Sequence, residues 1–281
     1  MTTTETAVEA AKSASDNLFV VDPSIRRRRR ENLVVAGSRV VIIILTLGLW
    51  ELCSGRIIDK FWISSPSAIA AAVQKFWDDG LLWPAIVATL SETALGFGLG
   101  AITGILVGLV FGVSPLIARI LDPFLVGVNS IPRVALIPLF ILWFGIGFET
   151  KVLFAAALVF FPVFINTFAG ARDVDRDLID VIRVMGASHR EAVRKVLVPS
   201  ALVWVFAGLK MSIPFALIGA VIAEMFAGDD GLGYLISVSA NQYDTAGSFG
   251  AIFVTTLLGL GLTYLVSLIE AKTLRWRHVD H

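Results

Sequence analysis

The sequence is poor in the residues that most soluble enzymes use for chemistry. Cys53 is the single cysteine among 281 residues, and the three histidines, His189, His278 and His281, are scattered. One cysteine excludes an intrachain disulfide and a thiolate zinc site. The histidines lack the His-Glu-x-x-His spacing of a helical zinc site, so no metal site is expected. Neither a glycine-rich phosphate loop ending in Gly-Lys-Ser/Thr nor a Gly-x-Ser-x-Gly nucleophile turn occurs anywhere. No catalytic set is therefore expected, and any ATP and Mg the protein depends on must be bound by another chain.

Charge is scarce as well. Only 16% of the residues are Asp, Glu, Lys or Arg, against about 25% in soluble domains. Apolar side chains make up 56%. That balance excludes an ordinary soluble enzyme, a disordered chain and a coiled coil. It predicts an all-α, polytopic membrane protein. A span needs roughly 20 apolar residues, and the apolar runs predict about six: 33–53, 95–113, one within 124–146, 152–169, 201–226 and 249–269. Segment 67–77 reads as an amphipathic interfacial helix. Segment 83–94, which carries Glu92, reads as an extramembrane extension of the second span. Residues 1–32 are polar and predicted to form a disordered tail. Residues 33–275 form the membrane domain, and 276–281 a second short tail.

Net charge is zero, from 23 basic and 23 acidic residues, but position breaks the symmetry. The run Arg26 to Arg30 directly precedes the first span. Next to a span it reads as a topology anchor, not as a nucleic-acid-binding element. An even number of spans puts both termini on one side. With the N-terminus inside, 17 basic residues face the cytoplasm and four, Arg56, Lys60, Lys75 and Lys151, face out. The positive-inside rule expects that asymmetry. The expectation is a multi-pass plasma-membrane protein with both termini cytoplasmic.

The loop at about 171–199 is charged and faces the cytoplasm in this scheme. It runs Val184-Met185-Gly186-Ala187-Ser188-His189-Arg190-Glu191 and reaches Arg194 and Pro199. Gly186 can end one helix and let another start at a new angle. Ser188 followed by Glu191 has capping-box spacing. Pro199 suits the first turn of the fifth span, where a missing N–H costs little. The pattern predicts helix, turn, short charged helix, then membrane. Such a helix is suited to docking into a soluble partner; a plain solvated connector is the alternative.

The spacing from Gly186 to Pro199 resembles the cytoplasmic signature of binding-protein-dependent ABC permeases, Glu-Ala-Ala-x3-Gly-x9-Ile-x-Leu-Pro. Val196 and Val198 stand at the Ile and Leu positions, and Asp180, Val181 and Ile182 replace the Glu-Ala-Ala element. Further stretches are similar to the nitrate/sulfonate/taurine branch of that family. They are Ile131-Pro132-Arg133-Val134-Ala135-Leu136-Ile137-Pro138, Leu142-Trp143-Phe144-Gly145-Ile146-Gly147, Gly208-Leu209-Lys210, Ala223-Glu224 and Gly231-Leu232-Gly233-Tyr234.

The resemblance implies a type I importer permease bundle, with two permease subunits forming the pathway, a homodimer in this branch. ABC ATPase subunits dock beneath, and an extracytoplasmic binding protein delivers cargo. It implies that Arg183 to Arg194, with Gly186, Ala187, Ser188, His189, Arg190 and Glu191 among them, form the ATPase-coupling segment. The cargo it implies is a small anion such as a sulfonate, taurine or nitrate. The branch also includes carriers of thiamine-precursor pyrimidines and flavin-like solutes.

Ionisable residues inside a membrane are costly and usually functional. Lys210 and Glu224 lie 14 residues apart in the fifth span, a rise of ~21 Å that returns to nearly the same face. They are expected to line one water-filled surface, with Pro214 between them. The alternatives are a snorkelling lysine and an exposed glutamate at the helix end. Arg133, between Pro132 and Pro138, predicts a broken third span. It either faces a cavity and attracts an anion or marks the cytoplasmic start of the span. In the second span Gly96, Gly100, Gly104, Gly108 and Gly112 form a small-residue stripe. That stripe packs either within one subunit or between two. An intramembrane enzyme would need an acid, base or metal set at one depth, and an ion channel would not need the Gly186 loop.

Overall fold

In lipid, apolar runs of this length can satisfy their backbone as helices, and every long element among the described residues is α-helical. The computed structural model describes residues 23–113, 116–117, 119–120, 123–124, 127, 130–173, 181–182, 184–188, 191, 194–195 and 198–273. The helices are α1 (Pro23–Cys53), α2 (Pro66–Asp78), α3 (Leu82–Gly112), α4 (Ile137–Phe144), α5 (Phe148–Arg172), α6 (Val198–Ala227), α7 (Leu232–Asn241) and α8 (Thr245–Thr273). A 3₁₀ turn, Arg133–Leu136, precedes α4. The all-α membrane class expected from composition is the one found.

The spans differ in detail from the expected six. Among the described residues, α3, α5, most of α6 (Ser200–Ala227) and most of α8 (Thr245–Glu270) are long and apolar enough to cross a membrane. The expected third span is not one helix. Arg133–Phe144 is a short apolar piece, with Pro132 extended at its start (ψ 92°) and Pro138 in the first turn of α4. Proline has no N–H to donate, and Pro138 sits in the first turn of α4, where none is needed. Segment 83–94 is a helical extension of the second span, as expected: α3 runs unbroken from Leu82 to Gly112.

The chain divides into two units, Met1–Lys60 and Phe61–His281. In the first, α1 opens at Pro23, ahead of the boundary expected at Leu33. Arginine is a good helix former and proline fits the first helical position, so the arginine run is helical and not tail. Residues 1–22 and 274–281, with the tails expected there, lie outside the described residues.

In the second unit, α3 and α6 both pack extensively on α5. Leu82, Ala85, Leu232, Leu235 and Ala251 join α3, α7 and α8. Ile137, Phe154, Leu158 and Ala223 join α4, α5 and α6. The amphipathic stretch expected at 67–77 is α2, capped by Ser65, whose side chain accepts from the Ala68 N–H at 3.3 Å.

The glycine stripe explains the α3–α5 approach. All five glycines are buried. A Cβ added at Gly104 would lie 2.9 Å from the Phe160 carbonyl oxygen and 3.0 Å from Val163 Cβ. One at Gly96 would lie 2.5 Å from Ala155 Cβ, and one at Gly108 2.8 Å from Thr167 Cβ. The stripe therefore packs within one subunit, along the length of α5.

Candidate functional site

The loop between α5 and α6 holds the first candidate site. Gly186 has φ +89°, in the left-handed region that glycine enters without cost. The Met185 N–H bonds the Val181 carbonyl and the Ala187 N–H bonds the Ile182 carbonyl, so a helical turn closes there. Past the break the capping box is formed. Glu191 accepts from the Ser188 backbone N–H and from the Ser188 hydroxyl, each at 3.0 Å. The Glu191 N–H in turn lies 3.4 Å from Ser188 Oγ.

Lys195 adds an ion pair to Glu191 at 3.2 Å, one helical turn on. The Ser188 backbone N–H first, and then Lys195, hold the exposed Glu191 carboxyl below the usual carboxylate range. Glu191 and Arg194 are exposed. Pro199 is in the first turn of α6. Arg183, His189 and Arg190 lie outside the described residues. Where the loop leaves α5, Ala169, Arg172, Asp173 and Trp204 line an open cavity.

The three ionisable residues singled out inside the spans fall in three different places. Arg133 opens the 3₁₀ turn, its guanidinium 4.9 Å from the centre of the Phe161 ring, a cation–π distance. Lys210 is 46% exposed and pairs at 2.9 Å with Glu270 of α8, a partner the sequence reading did not name. Glu224 is fully buried. Lys210 and Glu224 therefore do not share one open surface. Helical spacing does place them on nearly the same side of α6, but α7 covers the end that carries Glu224. Nor is Glu224 an exposed helix end, since Thr89 Oγ1 donates to it at 2.6 Å and the Gly233 N–H also at 2.6 Å.

A charge cluster around Glu224 went unread in the sequence. Lys151, counted there as an outer-loop residue, is 2% exposed in the first turn of α5. Its ammonium lies 2.8 Å from Glu92 Oε1, and Glu92 is itself fully buried on α3. The same ammonium bonds Asp230, in the turn between α6 and α7. Beside it, the Leu232 N–H donates to Thr89 Oγ1 at 2.9 Å. Side chains of α3 and α6 thus occupy two of the N–H groups that the first turn of α7 leaves unpaired. The cluster draws α3, α5, α6 and the start of α7 together at one end of the unit. A signal was present: Glu92 lies within an apolar stretch, and such residues rarely lack a partner.

The family model described as "Binding-protein-dependent transport system inner membrane component" matches residues 100–275. The chain is 33% identical over 233 residues to the putative aliphatic sulfonates transport permease SsuC of Bacillus subtilis (strain 168), a match covering 83% of this chain and 84% of the relative. It is 32% identical over 229 residues to the formylaminopyrimidine transport permease ThiX of Halalkalibacterium halodurans, covering 82% and 91%. Its fold is similar to that in a crystal structure of an amino acid ABC transporter, with a TM-score of 0.56 at 20% identity, covering 71% of this chain and 94% of that one. Glycine-packed apolar helices, a capped loop between α5 and α6 and a family match over more than half the chain converge. The chain belongs to the inner-membrane components of binding-protein-dependent transport systems, in the nitrate/sulfonate/taurine branch of ABC importer permeases, and is a transport subunit, not an enzyme.

Proposed function

We propose that this chain forms half of the pathway for a small anionic solute, of the sulfonate class, as one of two identical permease subunits above a pair of ATPase chains. The observation that carries the cargo class is the similarity to SsuC across most of both proteins. Two cationic side chains agree with it: Arg133 at the broken helix over Phe161, and the half-exposed Lys210 beside Glu270.

The segment from Arg183 through Gly186 to Arg194 is the ATPase-docking element in this reading. His189, Arg190 and Pro199 belong to it by family spacing. ATP and Mg are bound by the partner chain, whose closure moves α5 and α6, which flank the loop, as rigid levers. The termini and this loop face the cytoplasm, and the Lys151 end of the bundle faces out, toward the binding protein.

A second reading keeps the importer and changes the cargo. The match to ThiX is nearly as strong and covers more of that relative. Uptake of a radiolabelled alkanesulfonate and of formylaminopyrimidine, in cells with and without the chain, separates the two. Loss of sulfonate uptake alone, restored by the intact gene, is the expected result. Loss of pyrimidine uptake with sulfonate uptake intact overturns the anion reading.

A further inference from the structure

The buried cluster has an asymmetry that bears on how transport is triggered. One ammonium, Lys151, serves two carboxylates. Glu92 is fully buried, whereas the Asp230 side chain is 57% exposed. Removing Glu92 from Lys151 would leave a carboxylate uncompensated in the protein interior, the costly way to break a buried pair. Removing Asp230 leaves the buried Lys151–Glu92 pair intact and a carboxylate that water can solvate. The cluster therefore opens at Asp230.

The backbone around Asp230 is arranged for such an opening. The Gly228 N–H closes the last turn of α6 on the Glu224 carbonyl at 2.9 Å. Gly231 has φ +100°, so the chain changes direction there in a region that side chains disfavour. Immediately after it, the Leu232 and Gly233 N–H groups are held by Thr89 and Glu224. Residues 229–230 thus lie between two fixed points, and the bond to Lys151 is the side-chain tie on them. Segment 227–248 carries Asp229, Asp230 and Asp244 and no lysine or arginine. The Asp244 carboxylate is committed to the Gly247 N–H. A partner that docks on this surface is matched by cationic groups.

We propose that Asp230 is the release point of an ionic latch on Lys151, and that a cationic side chain of the docked binding protein frees the latch by pairing with Asp230. The partner's identity rests on the orientation given under the proposed function; the latch itself rests on the geometry alone. In this scheme Asp230 and Lys151 are positioning residues. They hold the turn between α6 and α7 until docking, and so tie the outer surface to the α5 and α6 levers.

The test uses the permease–ATPase complex in nanodiscs with Asp230→Asn, and Asp229→Asn as a control that removes the same charge one residue away. In D230N, ATP hydrolysis without binding protein rises toward the stimulated rate. Capture of the binding protein weakens about two- to fivefold, the scale of an exposed ion pair. In D229N, which leaves the Asp230–Lys151 bond in place, hydrolysis without binding protein rises less than in D230N. Unchanged hydrolysis and capture in D230N overturn the latch. So do identical effects of D229N and D230N, which would show surface charge alone at work. Failure of D230N to assemble also overturns it, because a release point cannot be needed for folding. Labelling of Asp229→Cys in a Cys53→Ser chain by an impermeant thiol reagent, if it occurs only from the cytoplasmic side, overturns the orientation and the partner with it. Hydrolysis without binding protein involves no cargo, so a wrong cargo assignment leaves that outcome untouched.

Discussion

Lys151→Met is the sharpest perturbation of the bundle, because it keeps the length of the side chain and removes only the ammonium. Glu92, fully buried, then faces the interior with no cation among the described residues to replace Lys151. Breaking a buried pair from one side costs about 3–5 kcal/mol. For a chain of this size that corresponds to a fall in Tm of roughly 10 °C. Glu92→Gln is milder, since Lys151 keeps Asp230, which reaches solvent. The double variant K151M/E92Q has no stranded charge and recovers most of the loss, as buried pairs replaced on both sides generally do. The assay is the fraction of monodisperse permease left after heating in detergent, read by size-exclusion fluorescence for the four proteins. The expected order is wild type, then the double variant and E92Q, with K151M lowest. A double variant as unstable as K151M, or K151M no worse than E92Q, would refute the reasoning.

Other perturbations probe separate links. Gly104→Leu forces α3 away from Phe160 and Val163, where even one added carbon lies at 2.9–3.0 Å. Overpacking of this kind costs about 1–3 kcal/mol or more, and the single subunit should lose thermal stability before any subunit contact is considered. Ser188→Ala removes the cap of the loop helix, about 1 kcal/mol of local stability. The ATPase chain should still copurify while binding-protein-stimulated hydrolysis falls. The Glu191 carboxyl is held below its unfolded value, so its support is present above that value and lost as pH falls through the lower, folded one. A carbon-13 titration of Glu191 in the full chain should show a midpoint under the ~4.3 of a free glutamate, and a midpoint at or above it contradicts the capping box. Lys210→Met should lower uptake of an anionic cargo; if uptake and hydrolysis both persist, Lys210 has no part in the pathway.

Much of the bundle was legible along the sequence because its signals are local. Apolar runs mark α3, α5, α6 and α8, and the Ser188–Glu191 spacing marks the capping box without any knowledge of neighbours. Contacts across the fold were not legible in the same way. The stripe at Gly96 to Gly112 announces a close approach, but the sequence does not say whether α5 or a second subunit fills it. Lys151 follows Gly147 by one helical turn and so reads as a loop residue. Its partners lie on α3 and in the turn after α6, far away along the chain. The ten residues of α7 are too few for a span and carry no span signal, yet α7 is what covers Glu224 and separates it from Lys210. Proline at 132 and 138 flagged the break in the third span but not its form, a 3₁₀ turn followed by eight residues of helix.

The central claim is that this permease docks an ATPase chain through the Gly186 loop. The direct measurement is crosslinking from Ala187→Cys, with Cys53→Ser as background, in complexes purified from membranes through the permease alone. The account predicts that an ATPase chain copurifies and that the crosslink from position 187 joins the two. Purified permease with no ATPase chain, or an ATPase chain that crosslinks elsewhere and never from this loop, would contradict it.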